Sequence, residues 1–185
     1  MENRMENMLE ISERAFQPMF AKSMEMIMEV YRKPEVYGTV KDAFIALCGR
    51  IREQKKEEVR YLGACYLLSS LATGSYELLL TAYDGNFYLD GQQAEYPLIL
   101  PYFYETFQRD MSDVFKALQK KFIRIREWEK ERIRRNLMEY YYAAMRRVFT
   151  DWKEELMQID EVKALHDRSP FLFFFGRYQG EGVIL

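Results

Sequence analysis

Residues 102–169 read YFYETFQRDMSDVFKALQKKFIRIREWEKERIRRNLMEYYYAAMRRVFTDWKEELMQIDEVKALHDRS, with Pro101 before them and Pro170 after. These 68 residues contain no glycine or proline. Glycine adds backbone freedom and proline lacks an amide hydrogen, so their absence permits helix throughout. Apolar positions supply the period: Phe103, Phe107, Met111, Val114, Leu118, Phe122 and Ile125 are spaced by fours and threes. Leu137, Tyr141, Ala144, Val148 and Trp152 continue it. An unbroken helix over 102–158 would be ~85 Å long at the usual rise per residue. A compact domain of this chain length is only roughly 40 Å across. The segment must fold back, protrude or meet another chain. Apolar spacing falters and charge peaks between Arg126 and Arg135, so the turn is expected there, dividing the long helical segment 102–160 in two.

Upstream, residues 2–33 also read as helix. Met5, Met8, Leu9, Phe16, Met19, Phe20, Ile27 and Tyr31 share a face, Pro18 kinks or restarts the helix, and Pro34 ends it. Seven of the eleven methionines fall within the first 28 residues. Methionine adapts to irregular surfaces, so residues 1–34 are either a peripheral arm with a docking face or a helix covering the core. Thr39 with Asp42 has the form of an N-cap opening a helix that carries Val40, Phe44, Leu47 and Ile51 inward. After a charged link, Arg52–Glu58, the stretch Val59–Ala72 is apolar nearly all round and predicts a buried central helix, stopped at Thr73-Gly74.

Strand signals flank the long segment. Ser75–Asp90 alternates around Asp84-Gly85, a dipeptide suited to a type I′ turn with positive φ at the glycine. Tyr76, Leu78, Leu80, Ala82, Phe87 and Leu89 would then share one face, and Gly91–Pro101 would be a loop. Phe171–Phe175 predicts a strand covered on both faces, and Gly180 and Gly182 allow a return to Val183-Ile184-Leu185. Isolated hairpins are marginal in water, so the two should merge. The fold class is α+β: a single domain over 1–185 with about five helices and a small antiparallel sheet from hairpins near 75–90 and 171–185.

Net charge is −2, unevenly spread. Between Tyr61 and Gln108 there is no Lys or Arg, whereas Glu77, Asp84, Asp90, Glu95 and Glu105 are present. From Lys116 to Arg135, nine basic residues face three acidic ones, a local +6 that leaves −8 for the rest. Cys48 and Cys65 lack metal or redox spacing and read as buried free thiols. No signal-peptide pattern opens the chain, and no apolar run reaches 18 residues. A cytoplasmic protein without a membrane partner is expected.

Chemical motifs are sparse. The lone histidine, His166, lies in a polar stretch, with no His, Cys or carboxylate ligands clustered at a metal-binding spacing. Glycines are scattered singly rather than in a phosphate-cradling loop. No catalytic residue, metal or cofactor is expected. The basic stretch carries the main candidates for interaction: Lys120, Lys121, Arg124, Arg132 and Arg135, joined by Tyr141 and Arg146 from a Tyr–Arg cluster. Interleaved Glu127, Glu129 and Glu131 argue against nucleic acid and for a helix-surface charge lattice. The leading expectation is a non-catalytic interaction or regulatory protein, self-associating as a homodimer when its acidic region meets the basic helix of a second copy. The alternative is a small enzyme or ligand-binding domain, taking a small molecule in a pocket between the sheet and the long helices.

Overall fold

A computed structural model of the chain describes residues 2–73, 75 and 77–185. In chain order the elements are α1 (Glu2–Tyr31), α2 (Pro34–Glu53), β1 (Tyr61–Tyr66), α3 (Leu68–Thr73), β2 (Glu77–Tyr83), β3 (Ala94–Ile99), α4 (Pro101–Gln119), α5 (Glu127–Met157), α6 (Asp160–Arg168), β4 (Leu172–Arg177) and β5 (Gly182–Ile184). The fold is α+β and mostly helical, with a single five-stranded sheet among the described residues. The chain divides into two compact units: Met1–Val30 with Pro101–Met145, and Tyr31–Leu100 with Arg146–Leu185.

The first unit is helical. The four-and-three spacing of α4 becomes a buried seam of Phe103, Phe107, Met111, Val114 and Leu118. Met5, Met8, Phe16 and Ile27 of α1 and Ile133, Leu137 and Tyr141 of α5 are buried too. Phe16 stacks on Phe20 at 5.3 Å between ring centroids, and the Tyr141 ring meets Phe20 and Phe107 at the same distance. Pro18 lies inside α1, which continues through it.

The long segment does fold back, but at residues 120–126 rather than within Arg126–Arg135. Glu129 explains the difference. Its Oε2 accepts the Arg126 amide at 2.7 Å, while Lys130 N–H donates to the Arg126 carbonyl at 3.1 Å. Arg126 is thus the N-cap of α5, and Glu129 supplies the reach-back half of a capping box. The dense charge that suggested a turn is a helix-surface lattice, with Glu127–Lys130 and Glu131–Arg135 ion pairs.

The second unit holds the sheet, in order β3-β2-β1-β4-β5. The stretch expected to be the central helix is instead the central strand, β1, followed by the short α3. A strand covered on both faces gives a continuous apolar run, which periodicity does not separate from a buried helix. β1 pairs antiparallel with β2 but parallel with β4, so the sheet is mixed rather than antiparallel. The intervening helices act as the crossover that parallel pairing needs. Gly74 and Tyr76, assigned above to a helix stop and a strand face, lie outside the described residues. α2 begins at Pro34, whose missing amide hydrogen costs nothing at the first helical position. Thr39 is therefore inside the helix and donates back to the Glu35 carbonyl instead of capping.

One sheet face buries Leu62, Leu80, Phe173 and Phe175. Phe44 of α2 packs on Phe173 at 6.0 Å, and Phe149 of α5 on Phe175 at 5.6 Å. The other face buries Cys65, Tyr83 and Phe174 beneath Phe87, Tyr88 and Tyr178. The phenylalanine run is therefore covered on both sides, as its composition requires.

The strand that follows β2 and pairs with it on the side away from β1 is β3, not residues 86–90, and 91–101 is largely strand rather than loop. Asp84 does make a turn: its carbonyl accepts Phe87 N–H at 3.2 Å, and its carboxylate accepts Asn86 N–H at 2.7 Å. The turn leads into a 3-10 turn at Phe87–Leu89. Positive φ (53°) falls on Phe87 and not on Gly85. The Phe87 ring packs at 4.8 Å on Tyr61 and 4.9 Å on Tyr83, which offsets a strain of about 1–3 kcal/mol. A Cβ on Gly85 would meet open space. Gly85→Ala should therefore shift stability by no more than ~0.5 kcal/mol, measured as a urea unfolding midpoint.

Candidate functional site

The α4–α5 connection begins where α4 ends, with the Lys121 and Phe122 amides donating to the Leu118 carbonyl at 2.9 Å. From there the backbone carries Phe122, Ile123, Arg124 and Ile125 to the Arg126 cap. Arg4 of α1 braces this path at three points. Its Nη2 donates to the Arg124 carbonyl at 2.6 Å, its Nε donates to Glu129 Oε1 at 2.9 Å, and its guanidinium lies over the Phe122 ring at 5.1 Å. Glu129 is itself 1% exposed. The Arg4 hydrogen bond, opposed by burial and assisted by the Arg126 amide, holds its carboxyl below the ordinary range. It remains a carboxylate at neutral pH, and the brace persists.

This bracing turns Phe122 toward Arg4 and leaves Ile123 bare. The Ile123 side chain is fully exposed, and Trp128 in the first turn of α5 is 45% exposed. Around them Lys120, Lys121, Arg124, Arg126 and Arg132 are exposed and make no ion pair among the described residues. Alongside, an open groove of about 590 Å³ is lined by Gln108, Phe115, Lys116, Lys130 and Arg134 among others. Arg134 lies over Phe115 at 5.7 Å and donates to Gln108 at 3.0 Å.

Of the residues singled out from sequence, Lys120, Lys121 and Arg124 come together on this connection, and Arg132 and Arg135 follow on α5. Arg135 is paired with Glu131 at 2.5 Å. Tyr141 is a core residue, fully buried and donating to Asp110 Oδ2 at 2.7 Å, which corrects its place as a surface candidate. Burial and the adjacent carboxylate push its phenol well above the ordinary range, so it stays a donor. Arg146 is exposed but belongs to the second unit. Sequence reasoning missed Arg4, Ile123, Arg126 and Trp128. Arg4 could not be found from local sequence, because its partner Glu129 lies 125 residues away. Ile123 could have been noticed as an apolar residue inside a basic run, had the fold-back been placed correctly.

Other reactive groups are built into structure. Cys48 and Cys65 are free and buried, and burial pushes each thiol up to about 11. His166 is half-buried, its Nδ1 accepting the Phe171 amide at 3.3 Å and its ring edge-on to Phe171 at 4.8 Å. Asp110 is buried in the first unit, where Ser23 and Tyr141 donate to it. Among the described residues, no group of three or more His, Cys, Asp or Glu side chains is placed to hold a metal ion. No described helix is long and apolar enough to cross a membrane. No protein-family model matches the chain, and neither a curated protein nor a solved structure shows significant similarity to it.

Proposed function

We propose that this is a non-catalytic, cytoplasmic interaction protein that recognises an anionic partner through the cationic end of its α4–α5 hairpin. One observation carries the reading: Lys120, Lys121, Arg124 and Arg126, exposed and without an ion pair among the described residues, flank a bare isoleucine on a connection that Arg4 and Glu129 hold in place, and Arg132 follows on α5. A connection braced in this way presents charge at low entropic cost on binding. Self-association through acid–base complementarity has less support. In the stretch free of Lys and Arg, Asp90 is engaged by Lys56, Asp84 caps its own turn, and Glu95 accepts Tyr178. Glu77 and Glu105 are the remaining acids of that region named above, too few to balance five cations. The alternative, a small enzyme or ligand-binding domain with a pocket between the sheet and the long helices, would use a cleft of about 500 Å³ lined by Lys153, Met157, His166, Phe171 and Leu185, which is open to solvent rather than enclosed.

Retention on a polyanionic matrix, together with sedimentation equilibrium at low salt, tests this reading. A monomer retained in a salt-sensitive manner, and released by the triple change Lys120→Glu, Lys121→Glu, Arg124→Glu, is the expected result. A dimer that the same changes dissociate would give the surface to a second copy. Absence of retention, with the protein monomeric, would overturn the reading.

A further inference from the structure

We infer that the anionic partner is the surface of a phospholipid bilayer, touched by the α4–α5 connection with Ile123 and Trp128 as its apolar contacts. The inference rests on the reading above and adds what the charges alone leave unexplained. An isoleucine standing fully clear of its own protein exposes apolar area to water. The connection does not lack inward-facing alternatives, because Phe122, one residue earlier, lies under Arg4. The backbone that exposes Ile123 is fixed by three Arg4 contacts and by the Glu129 cap, so its exposure is a property of the folded state.

Three chemical features match a bilayer interface. Lys120, Lys121, Arg124 and Arg126 flank the isoleucine on both sides in sequence, an arrangement that lets cations meet headgroup phosphates while an apolar side chain enters the acyl boundary. Tryptophan favours that same boundary, because its ring is apolar and its N–H is polar. The contact is shallow, so no spanning helix is needed. The sequence-level expectation of no membrane partner addressed spanning segments, which is a different requirement. Nucleic acid fits less well: Glu127 and Glu131 interrupt the α5 surface where phosphates would track, and an aliphatic tip offers neither base stacking nor a hydrogen bond. An acidic protein segment would match the cations but gives no reason for a bare isoleucine flanked by them in sequence.

The test is flotation of the full chain with phosphatidylcholine vesicles, with and without phosphatidylserine, alongside retention on heparin. Trp128 emission is read in a Trp152→Phe background. Binding to the serine-containing vesicles, with a blue shift of Trp128 emission, is expected. The Ile123→Asp variant should lose roughly tenfold or more in vesicle partitioning while keeping heparin retention, since the side chain touches nothing that folding requires. The Lys121→Glu, Arg124→Glu pair should lose at least about 30-fold in partitioning, and heparin retention as well. Heparin retention without vesicle binding would overturn the bilayer inference and leave the anionic-partner reading standing. Vesicle binding that Ile123→Asp leaves unchanged would also overturn it, reducing the contact to polyanion adhesion. Failure on both vesicles and heparin would remove both readings.

Discussion

Replacing Gly63 with alanine should lower stability by roughly 3 kcal/mol or more, the upper part of the range for overpacked cores. Gly63 sits in the middle of β1, aligned with Thr81 of β2 on one side and Phe174 of β4 on the other. A Cβ built there would overlap the Phe174 carbonyl oxygen, and its carbonyl carbon lies only 2.8 Å from that position. Both obstacles are backbone, so no rotamer change relieves the overlap. The strands must separate, and β1 is the strand to which both halves of the sheet are paired. Urea unfolding of Gly63→Ala should show a much lower midpoint, in contrast to the near-neutral Gly85→Ala. Equal midpoints for the two variants would contradict the β1–β4 register.

That pair of glycines shows which parts of the fold were readable from sequence. Gly85 looked important because Asp-Gly is a strong local turn signal, and a turn does form there. Yet the neighbouring Phe87 takes the left-handed backbone, held by an aromatic cluster whose members come from β1, β2 and β4. Gly63 looked like an ordinary small residue in an apolar run. Its role depends on a strand from more than a hundred residues downstream, and no local pattern reports that. Periodicity in α4 was legible because a helix writes its burial into spacings of three and four. The double-sided burial of β1 writes no period, so the strand passed for a helix. Charge was legible at the level of composition, and the basic cluster was found. Its geometry was not, because Glu129 serves as a cap only when Arg4 and the Arg126 amide are beside it.

Lys56→Met should destabilise the protein by about 3–5 kcal/mol at neutral pH, the cost of leaving one member of a buried ion pair without its partner. Sequence places Lys56 in a charged link, beside the equally basic Lys55, with nothing to tell the two apart. In the structure Lys55 is exposed with φ 53°, while Lys56 is 4% exposed and Asp90 7%. The Lys56 ammonium donates to Asp90 Oδ2 and, at 3.1 Å, to the Gln92 carbonyl. Asp90 also accepts the Asp84 amide at 2.9 Å and the Gln92 amide at 2.8 Å. Burial pushes the Asp90 carboxyl up, but the Lys56 hydrogen bond and the two amides together outweigh it and hold the group below its ordinary 3.8. A depressed carboxyl contributes stability above its unfolded pKa and loses it as pH falls through the folded value. Methionine removes the ammonium, so burial acts on Asp90 with only the amides opposing it, and its carboxyl rises. The variant is therefore penalised most where Asp90 is ionised. Its deficit against the unmutated protein should shrink as pH falls through the raised Asp90 value of the variant and on through the depressed value of the unmutated protein, which lies below 3.8 and beneath which both forms carry a protonated Asp90. Adding Asp90→Asn to Lys56→Met should recover part of the loss at neutral pH, because the buried group is then neutral and still accepts an amide. Urea midpoints at neutral and acidic pH decide the matter: a deficit that stays constant with pH, or one that Asp90→Asn deepens, would mean that Lys56 acts by packing rather than by charge.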